Sequence, residues 1–298
     1  MSVKNVSIIG AGTMGRGIAL VFATNGFNVK IFDAVTENLH SALENISVDL
    51  DRMIKKSLIT ENEKKDALSN IELISVINEA VQHADLVVEA VTENIEVKQK
   101  LFKQLDELCL PHCILATNTS SISITKLAAS TNRPSQVIGM HFMNPVPVMP
   151  LVEIISGLLT SLEIEKTISE VTIQLSKKPL LTKDYPGFVA NRILMPMINE
   201  AIYTLNDGVA DVETIDQIMK LGMAHPMGPL ELADFIGLDV CLSILKVLHQ
   251  ELGRDKYAPC PLLVKMVDAR LLGVKSLQGF YKYTRGSKEK IPSPIFSK

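Results

Sequence analysis

The stretch from Val6 to Asp33, VSIIGAGTMGRGIALVFATNGFNVKIFD, constrains the fold more than any other part of the chain. Val6 to Ile9 is a short apolar run of the kind that forms a buried strand. Gly10, Gly12 and Gly15 follow in G-x-G-x-x-G spacing, with Ala11, Thr13 and Met14 between them. Met14, Ile18, Val21 and Phe22 then share one helical face, and Gly26 ends the helix. Val29, Ile31 and Phe32 predict a second strand closed by Asp33. In a dinucleotide site each part has a task. Gly10 makes the tight turn, Gly12 lets the backbone approach a pyrophosphate, and Gly15 lets helix and strand pack closely. The helix N-terminus offers N–H groups and a positive dipole end to phosphate. Asp33, eighteen residues beyond Gly15, is placed to accept hydrogen bonds from a ribose diol. Three glycines alone also suit a turn that binds nothing, but here strand, helix, second strand and terminal acid all accompany them. The charge of Asp33 repels a 2′-phosphate, and Ala34, Val35 and Thr36 supply no cation to hold one, so NAD is favoured over NADP.

With 298 residues the chain can form two domains, and an apolar content of 47% makes it globular rather than disordered. A net charge of −3 without a dense basic cluster excludes nucleic acid as the main partner. No apolar run reaches membrane-spanning length. The chain enters its first strand within a few residues, which leaves no room for a signal or transit peptide; a cytoplasmic protein is expected. Cys109 and Cys113 flank His112 in C-x-x-x-C, but no further ligands follow at zinc-like spacing. With Cys241 and Cys260 they read as free or buried thiols, and no metal is expected.

After Asp33 the strand–helix alternation pauses. Leu39, Leu43, Ile46, Leu50 and Met53 stripe one long helix, and Thr60 with Glu63 forms a capping box for a second. Together they predict a helical hairpin inserted into the first domain. Arg52, Lys55 and Lys56 cluster near its tip; three surface cations are by default a solvated face, the other reading being a grip on an anionic substrate tail. Alternation resumes with strands at Leu86–Ala90, Ile114–Thr117, Val137–His141 and Leu151–Ile155, and helices at Ile95–Leu108 and Ile124–Ala129. This is a mostly parallel sheet covered on both faces, with its ligands at the strands' carboxyl ends. Three such ends carry polar groups: Glu93, Asn94 and Lys98; Asn118, Thr119, Ser120 and Ser121; and His141, Asn144 and Pro145. Pro145, Pro147 and Pro150 stiffen the loop after His141.

Oxidising an alcohol with NAD needs a base for the hydroxyl proton, and histidine titrates near neutrality. A carboxylate beside it would orient the ring, and hydroxyl or amide groups would hold substrate oxygens. His141, Glu153, Ser120 and an asparagine are residues of those kinds. A histidine at a strand end is often structural; its place on a nucleotide-binding sheet raises the catalytic reading.

DYPGF, Asp184–Phe188, breaks the pattern and sets the expected boundary between residues 1–184, an NAD-binding domain, and residues 185–298, a helical substrate and dimerisation domain. Helices are expected at Val189–Asn206, with Asn191 near the start, and at Val212–Leu221, opened by Asp211. Three more are expected at Pro229–Phe235, Val240–Leu252 and Pro261–Leu272. The predicted fold class is α/β: a Rossmann-type doubly wound sheet with an inserted helical hairpin, plus a C-terminal all-α domain.

GAGTMGRGIA, ATNTSSISIT, RPSQVIGMHFMNPVPVM, PGFVANRILMPMINEA and HPMGPLELADFIGLD resemble the L-3-hydroxyacyl-CoA dehydrogenase family, and most of all its bacterial 3-hydroxybutyryl-CoA branch. The resemblance runs from about Val3 to Tyr283. It implies His141 as catalytic base, Glu153 as its partner, and Ser120 and Asn191 as the groups positioning substrate oxygens. It implies cofactor contacts from the Gly10–Gly15 loop, Asp33, Glu93, Lys98, Ser120, Asn144 and Lys275. It also implies an L-3-hydroxyacyl thioester substrate, a dimer through the C-terminal helices, and a coenzyme A-binding role for Arg52, Lys55 and Lys56.

Three positions depart from the family pattern. Pro150 stands where a lysine is common, Ser156 where a basic residue is frequent, and Leu277 replaces a glycine in GVKSLQGFY. The first two remove cations expected close to the active-site loop, so an acyl chain on a carrier protein stands as an alternative to coenzyme A. A reading of another class is an NAD-binding scaffold without catalysis; Ser120, His141, Glu153 and Asn191 together oppose it. Dehydrogenases of the 6-phosphogluconate or hydroxyisobutyrate type would place a lysine in the base role, and no such motif is present.

Overall fold

The computed structural model describes residues 3–287 and 289–296. The chain divides into two compact units, Met1–Tyr185 and Pro186–Lys298. The first unit contains, in order, β1 (Asn5–Ile9), α1 (Thr13–Thr24), β2 (Asn28–Phe32), α2 (Thr36–Lys55), α3 (Glu61–Ser69), β3 (Ile71–Ile74), α4 (Ile77–Val81) and β4 (Leu86–Glu89). There follow α5 (Ile95–Leu108), β5 (Ile114–Thr117), α6 (Ile124–Ala128), β6 (Val137–Phe142), β7 (Leu151–Ser156), α7 (Leu162–Gln174) and β8 (Lys178–Lys183).

The eight strands make one sheet in the order β3-β2-β1-β4-β5-β6-β7-β8. Neighbours run parallel except at β6 and β7, which are antiparallel. β4, β5 and β6 are buried at every residue, because helices cover both faces; such strands are continuous apolar runs rather than alternating ones. The two edge strands, β3 and β8, escape the pattern reading. β3 is only four residues long, and β8 carries Pro179 between Lys178 and Lys183. Proline and lysine are how sheet edges resist further pairing, so the features that hide β8 as a strand are those of an edge.

The inserted hairpin forms as its stripe predicts. Leu39, Ile46 and Leu50 are buried along α2, with Ala42 on the same face. At the start of α3 the Glu63 N–H donates to Thr60 Oγ1 at 3.2 Å while the Thr60 N–H donates to Glu63 Oε2 at 2.6 Å, closing the capping box.

The second unit comprises α8 (Ala190–Asn206), α9 (Val212–Gly222), α10 (Pro229–Ile236), α11 (Leu238–Leu252) and α12 (Pro261–Asp268). A short antiparallel pair, β9 (Tyr281–Tyr283) and β10 (Lys290–Pro292), follows the helices. Two buried aspartates hold this unit together. Asp216 accepts the N–H groups of Leu230 and Glu231 at the start of α10, at 2.8 and 3.0 Å, and the Tyr281 hydroxyl at 2.8 Å. Asp234 accepts the N–H groups of Phe280 and Tyr281 at 3.0 and 2.9 Å and the Tyr283 hydroxyl at 3.0 Å. Burial pushes the Asp234 carboxyl up to about 6 even with these donors around it.

Those carboxylates explain two glycines of the HPMGP and QGFY motifs. A Cβ on Gly228 would fall 2.2 Å from Asp216 Cγ, and one on Gly279 would fall 1.9 Å from Asp234 Oδ1. Leu277, where the family pattern has glycine, is held in the left-handed region at φ 61°. Gly279→Ala is therefore expected to lower stability by about 1–3 kcal/mol through overpacking, whereas Leu277→Gly, which relieves a left-handed side chain, is not; thermal denaturation of both variants checks the contrast.

Candidate active site

The strand order reverses at β1, where β2 continues the sheet one way and β4 the other. Open parallel sheets bind ligands at the carboxyl side of such a point. A cleft of about 780 Å³ opens there, lined by Gly10, Gly12, Asp33, Asn38, Thr92 and Leu101 among others. Gly10 has φ +108°, and a Cβ on it would lie 2.6 Å from the Ala90 carbonyl oxygen. A Cβ on Gly15 would lie 1.8 Å from the Gly10 oxygen, which is the close helix–strand approach in numbers. Gly12 differs: its Cβ position has nothing within 4 Å and borders the cleft. It is also the N-cap of α1, which takes no side-chain cap and carries no acid in its first turn. The first N–H groups of α1 are thus left for an anion.

Asp33 is fixed at the mouth of this cleft. Its Oδ2 accepts the Ala11 N–H at 2.8 Å, and its Oδ1 accepts the Val35 N–H at 2.9 Å and Asn38 Nδ2 at 3.1 Å. The chain's own groups thus fit the pyrophosphate and adenosine ribose of NAD.

Beyond β4 and β5 a polar cluster gathers around two glutamates. Glu89, fully buried at the end of β4, accepts the Lys98 ammonium at 2.5 Å, the Thr117 hydroxyl at 2.6 Å and the Val91 N–H at 2.7 Å. Lys98 also reaches Glu93 at 3.4 Å. Glu93 Oε1 in turn accepts the Thr119 hydroxyl at 2.6 Å, the Ser120 N–H at 2.9 Å and the Ser121 hydroxyl at 3.2 Å, with the Ser120 hydroxyl at 3.3 Å. Burial alone would push the Glu93 carboxyl up, but the Lys98 charge and these donors outweigh it and hold it below its ordinary value. The structure therefore brings Glu93, Lys98 and Ser120 into one network. Glu89 and Thr117 complete it; the sequence reading passed over them because both lie inside runs that read simply as strand.

His141 and Glu153 face each other directly across β6 and β7. His141 Nδ1 lies 2.8 Å from Glu153 Oε2, and both residues are buried. A carboxylate at Nδ1 favours the tautomer with the proton there, which makes Nε2 the ring nitrogen able to accept one. Asn118, at the end of β5, accepts the Phe142 N–H at 2.9 Å and so ties the end of β6 to the loop that carries Ser120.

The other candidates are placed as follows. Asn144 is exposed on the loop after β6, at a cis bond to Pro145. Arg52, Lys55 and Lys56 are exposed at the end of α2, where Arg52 pairs with Asp49 at 2.8 Å. Asn191 is the second residue of α8 and buried; Lys275 pairs with Asp239. All four cysteines are buried free thiols. No group of three or more potential metal ligands occurs among the described residues. One expectation needs correcting. Pro150 borders the loop after His141, but Ser156 pairs with Ile138 at the start of β6. The two positions are six residues apart along the chain, roughly 20 Å, so only one of the absent cations borders that loop.

The family model for the NAD binding domain of 3-hydroxyacyl-CoA dehydrogenase matches residues 5–185, and that for its C-terminal domain matches residues 187–283. The chain belongs to the 3-hydroxyacyl-CoA dehydrogenase family. It is 53% identical to the probable 3-hydroxybutyryl-CoA dehydrogenase of Bacillus subtilis (strain 168), across 95% of this chain and 98% of that protein. Identity is 51% to the 3-hydroxybutyryl-CoA dehydrogenase of Bradyrhizobium diazoefficiens, across 96% and 97%. Among solved structures, the (S)-3-hydroxybutyryl-CoA dehydrogenase of Ralstonia eutropha superposes with a TM-score of 0.91 at 47% identity, covering 95% of this chain and 100% of that one.

Within this 3-hydroxyacyl-CoA dehydrogenase cleft, Asp33→Ala should erode discrimination between NADH and NADPH. Fluorescence titration of both cofactors checks it, and an unchanged ratio of dissociation constants would remove Asp33 from cofactor choice.

Proposed function

We propose that this chain is an NAD-dependent dehydrogenase interconverting short-chain L-3-hydroxyacyl-CoA and 3-oxoacyl-CoA thioesters, with 3-hydroxybutyryl-CoA as the representative substrate. The observation that carries this reading is the buried His141–Glu153 pair at the same end of the sheet as the dinucleotide cleft. Bound NAD supplies the hydride acceptor in oxidation and the donor in reduction. His141 Nε2 takes the hydroxyl proton as the carbonyl forms and returns it in the reverse direction. Glu153 holds the ring at Nδ1 in one orientation. Ser120, anchored by Glu93, and Asn191 are the groups we assign to substrate oxygens, as the family resemblance implies; Lys98, Asn144 and Lys275 are assigned to the cofactor on the same ground.

Arg52, Lys55 and Lys56 are assigned to the coenzyme A phosphates. The distance of Ser156 from the loop after His141 removes half of the case for a carrier-protein substrate, and the names of the relatives favour coenzyme A. The same reading expects a homodimer in the cytoplasm. Ile193, Ile218 and Leu221 present exposed apolar side chains on α8 and α9, which suits a contact between copies. Among the described residues no helix is long and apolar enough to cross a membrane.

Wild-type protein should oxidise NADH with acetoacetyl-CoA. His141→Gln should lower kcat by about 10²–10⁴-fold while NADH still binds; a variant that keeps most of its kcat ends the base assignment. Replacing Lys55 and Lys56 together by alanine should raise KM for acetoacetyl-CoA but not for the acetoacetyl thioester of N-acetylcysteamine, which lacks the nucleotide. An equal change for both thioesters would take the hairpin out of coenzyme A binding.

A further inference from the structure

Lys177 has no part in the chemistry above, yet it is almost wholly buried. Its ammonium donates to the carbonyl oxygens of Val146 at 2.7 Å and Met149 at 2.8 Å. Among the described residues no carboxylate pairs with it. Burial pulls its pKa below the ordinary lysine value. An unpaired buried cation is unfavourable unless the groups around it need its protons. Here the groups in need are on the loop between β6 and β7.

That loop follows His141 and carries Asn144. Prolines at 145, 147 and 150 carry no N–H, and the loop's own backbone bonds are those of one turn, in which the Val148 and Met149 N–H groups donate to the Pro145 oxygen at 3.0 Å. Its position is set from outside at three points. At its start Asn118 accepts the Phe142 N–H at 2.9 Å. At its end the Lys178 N–H donates to the Pro150 oxygen at 2.7 Å. In the middle Lys177 gathers two carbonyls, and Val146 packs on α1 so closely that a Cβ on Gly17 would come within 3.0 Å of its Cβ. Lys177 thus presses the loop against the helix whose N-terminus borders the dinucleotide cleft.

We propose that Lys177 is a positioning residue for hydride transfer, fixing the loop from Met143 to Met149 so that Asn144 and the end of β6 keep their places relative to bound cofactor. The proposal rests on the functional reading above. Lys177→Met keeps the length of the side chain and removes its donors, and Lys177→Gln keeps donors without charge. The measurements are kcat, KM for each substrate and NADH dissociation by fluorescence, all normalised to folded protein, together with thermal stability. Lys177→Met should lower kcat by about tenfold or more, as small misplacements of reacting groups do. It should weaken NADH binding by about fivefold, the size of a lost hydrogen bond, with KM for acetoacetyl-CoA within about twofold of wild type on the same scale. Lys177→Gln should fall between the two. If either folded variant matches wild type in kcat and NADH affinity, with or without a lower melting temperature, Lys177 is a structural residue only and the proposal fails. Should Lys177→Met not fold, the glutamine variant alone decides on the same criterion. If wild-type protein does not turn over acetoacetyl-CoA, the functional reading fails, while NADH affinity still tests the hold of Lys177 on the cofactor end of the loop.

Discussion

The 2.8 Å contact between His141 and Glu153 depends on one reversal of chain direction. Residues directly opposite in an antiparallel pair have Cβ atoms about 4.5–5.5 Å apart, close enough for imidazole and carboxylate to meet. The rest of the sheet leading to β6 is parallel, which sends every strand's carboxyl end to the same side as the glycine loop. β7, with β8 parallel to it, returns against that direction, bringing a carboxylate to the histidine from a neighbouring strand. The parallel part of the sheet thus builds the dinucleotide cleft, and its one antiparallel step builds the His141–Glu153 pair.

Around this pair the protein manages buried charge in two ways. Lys98 lies between Glu89 and Glu93, and the carboxylates' remaining capacity is taken by hydroxyls and N–H groups. This is the arrangement in which buried ions are tolerable, each with an opposite charge and hydrogen bonds besides. Lys177 instead satisfies its ammonium with backbone carbonyls. The first arrangement orders the Ser120 loop from below, and the second orders the Asn144 loop from the side. Asp216 and Asp234 do comparable work in the second unit, where N–H groups and tyrosine hydroxyls converge on each carboxylate.

Much of this was legible from residues alone, and the limits are physical. The central strands follow from apolar runs, because their burial is complete, and α5 from the helical periodicity of its one buried face. The Thr60–Glu63 box is local chemistry and needs no tertiary context. Edge strands β3 and β8 were lost because an edge is written in lysine, proline and brevity, which also spell loop. Glu153 could be named from residue type, but its alignment with His141 is a matter of register across a proline-rich loop. Ser156 shows the opposite failure: nearness in sequence to the site suggested nearness in space, and the reversed strand carries it to the far end. Lys177 and Asn118 act through backbone groups of other segments, a relation that no spacing encodes.

The geometry also bears on whether such a sheet need be an enzyme at all. A buried ionisable pair adds little net stability, since desolvating both partners offsets most of their attraction, and a well-packed apolar pair in its place is often neutral or stabilising. A scaffold required only to bind a dinucleotide would lose nothing by filling positions 141 and 153 with the valine and isoleucine that occupy 152, 154 and 155 beside them. The cleft at the glycine loop is built from other residues. The pair makes physical sense where the imidazole must exchange a proton and the carboxylate must keep its ring in one orientation while it does so. That requirement is absent from a binding protein and intrinsic to a dehydrogenase.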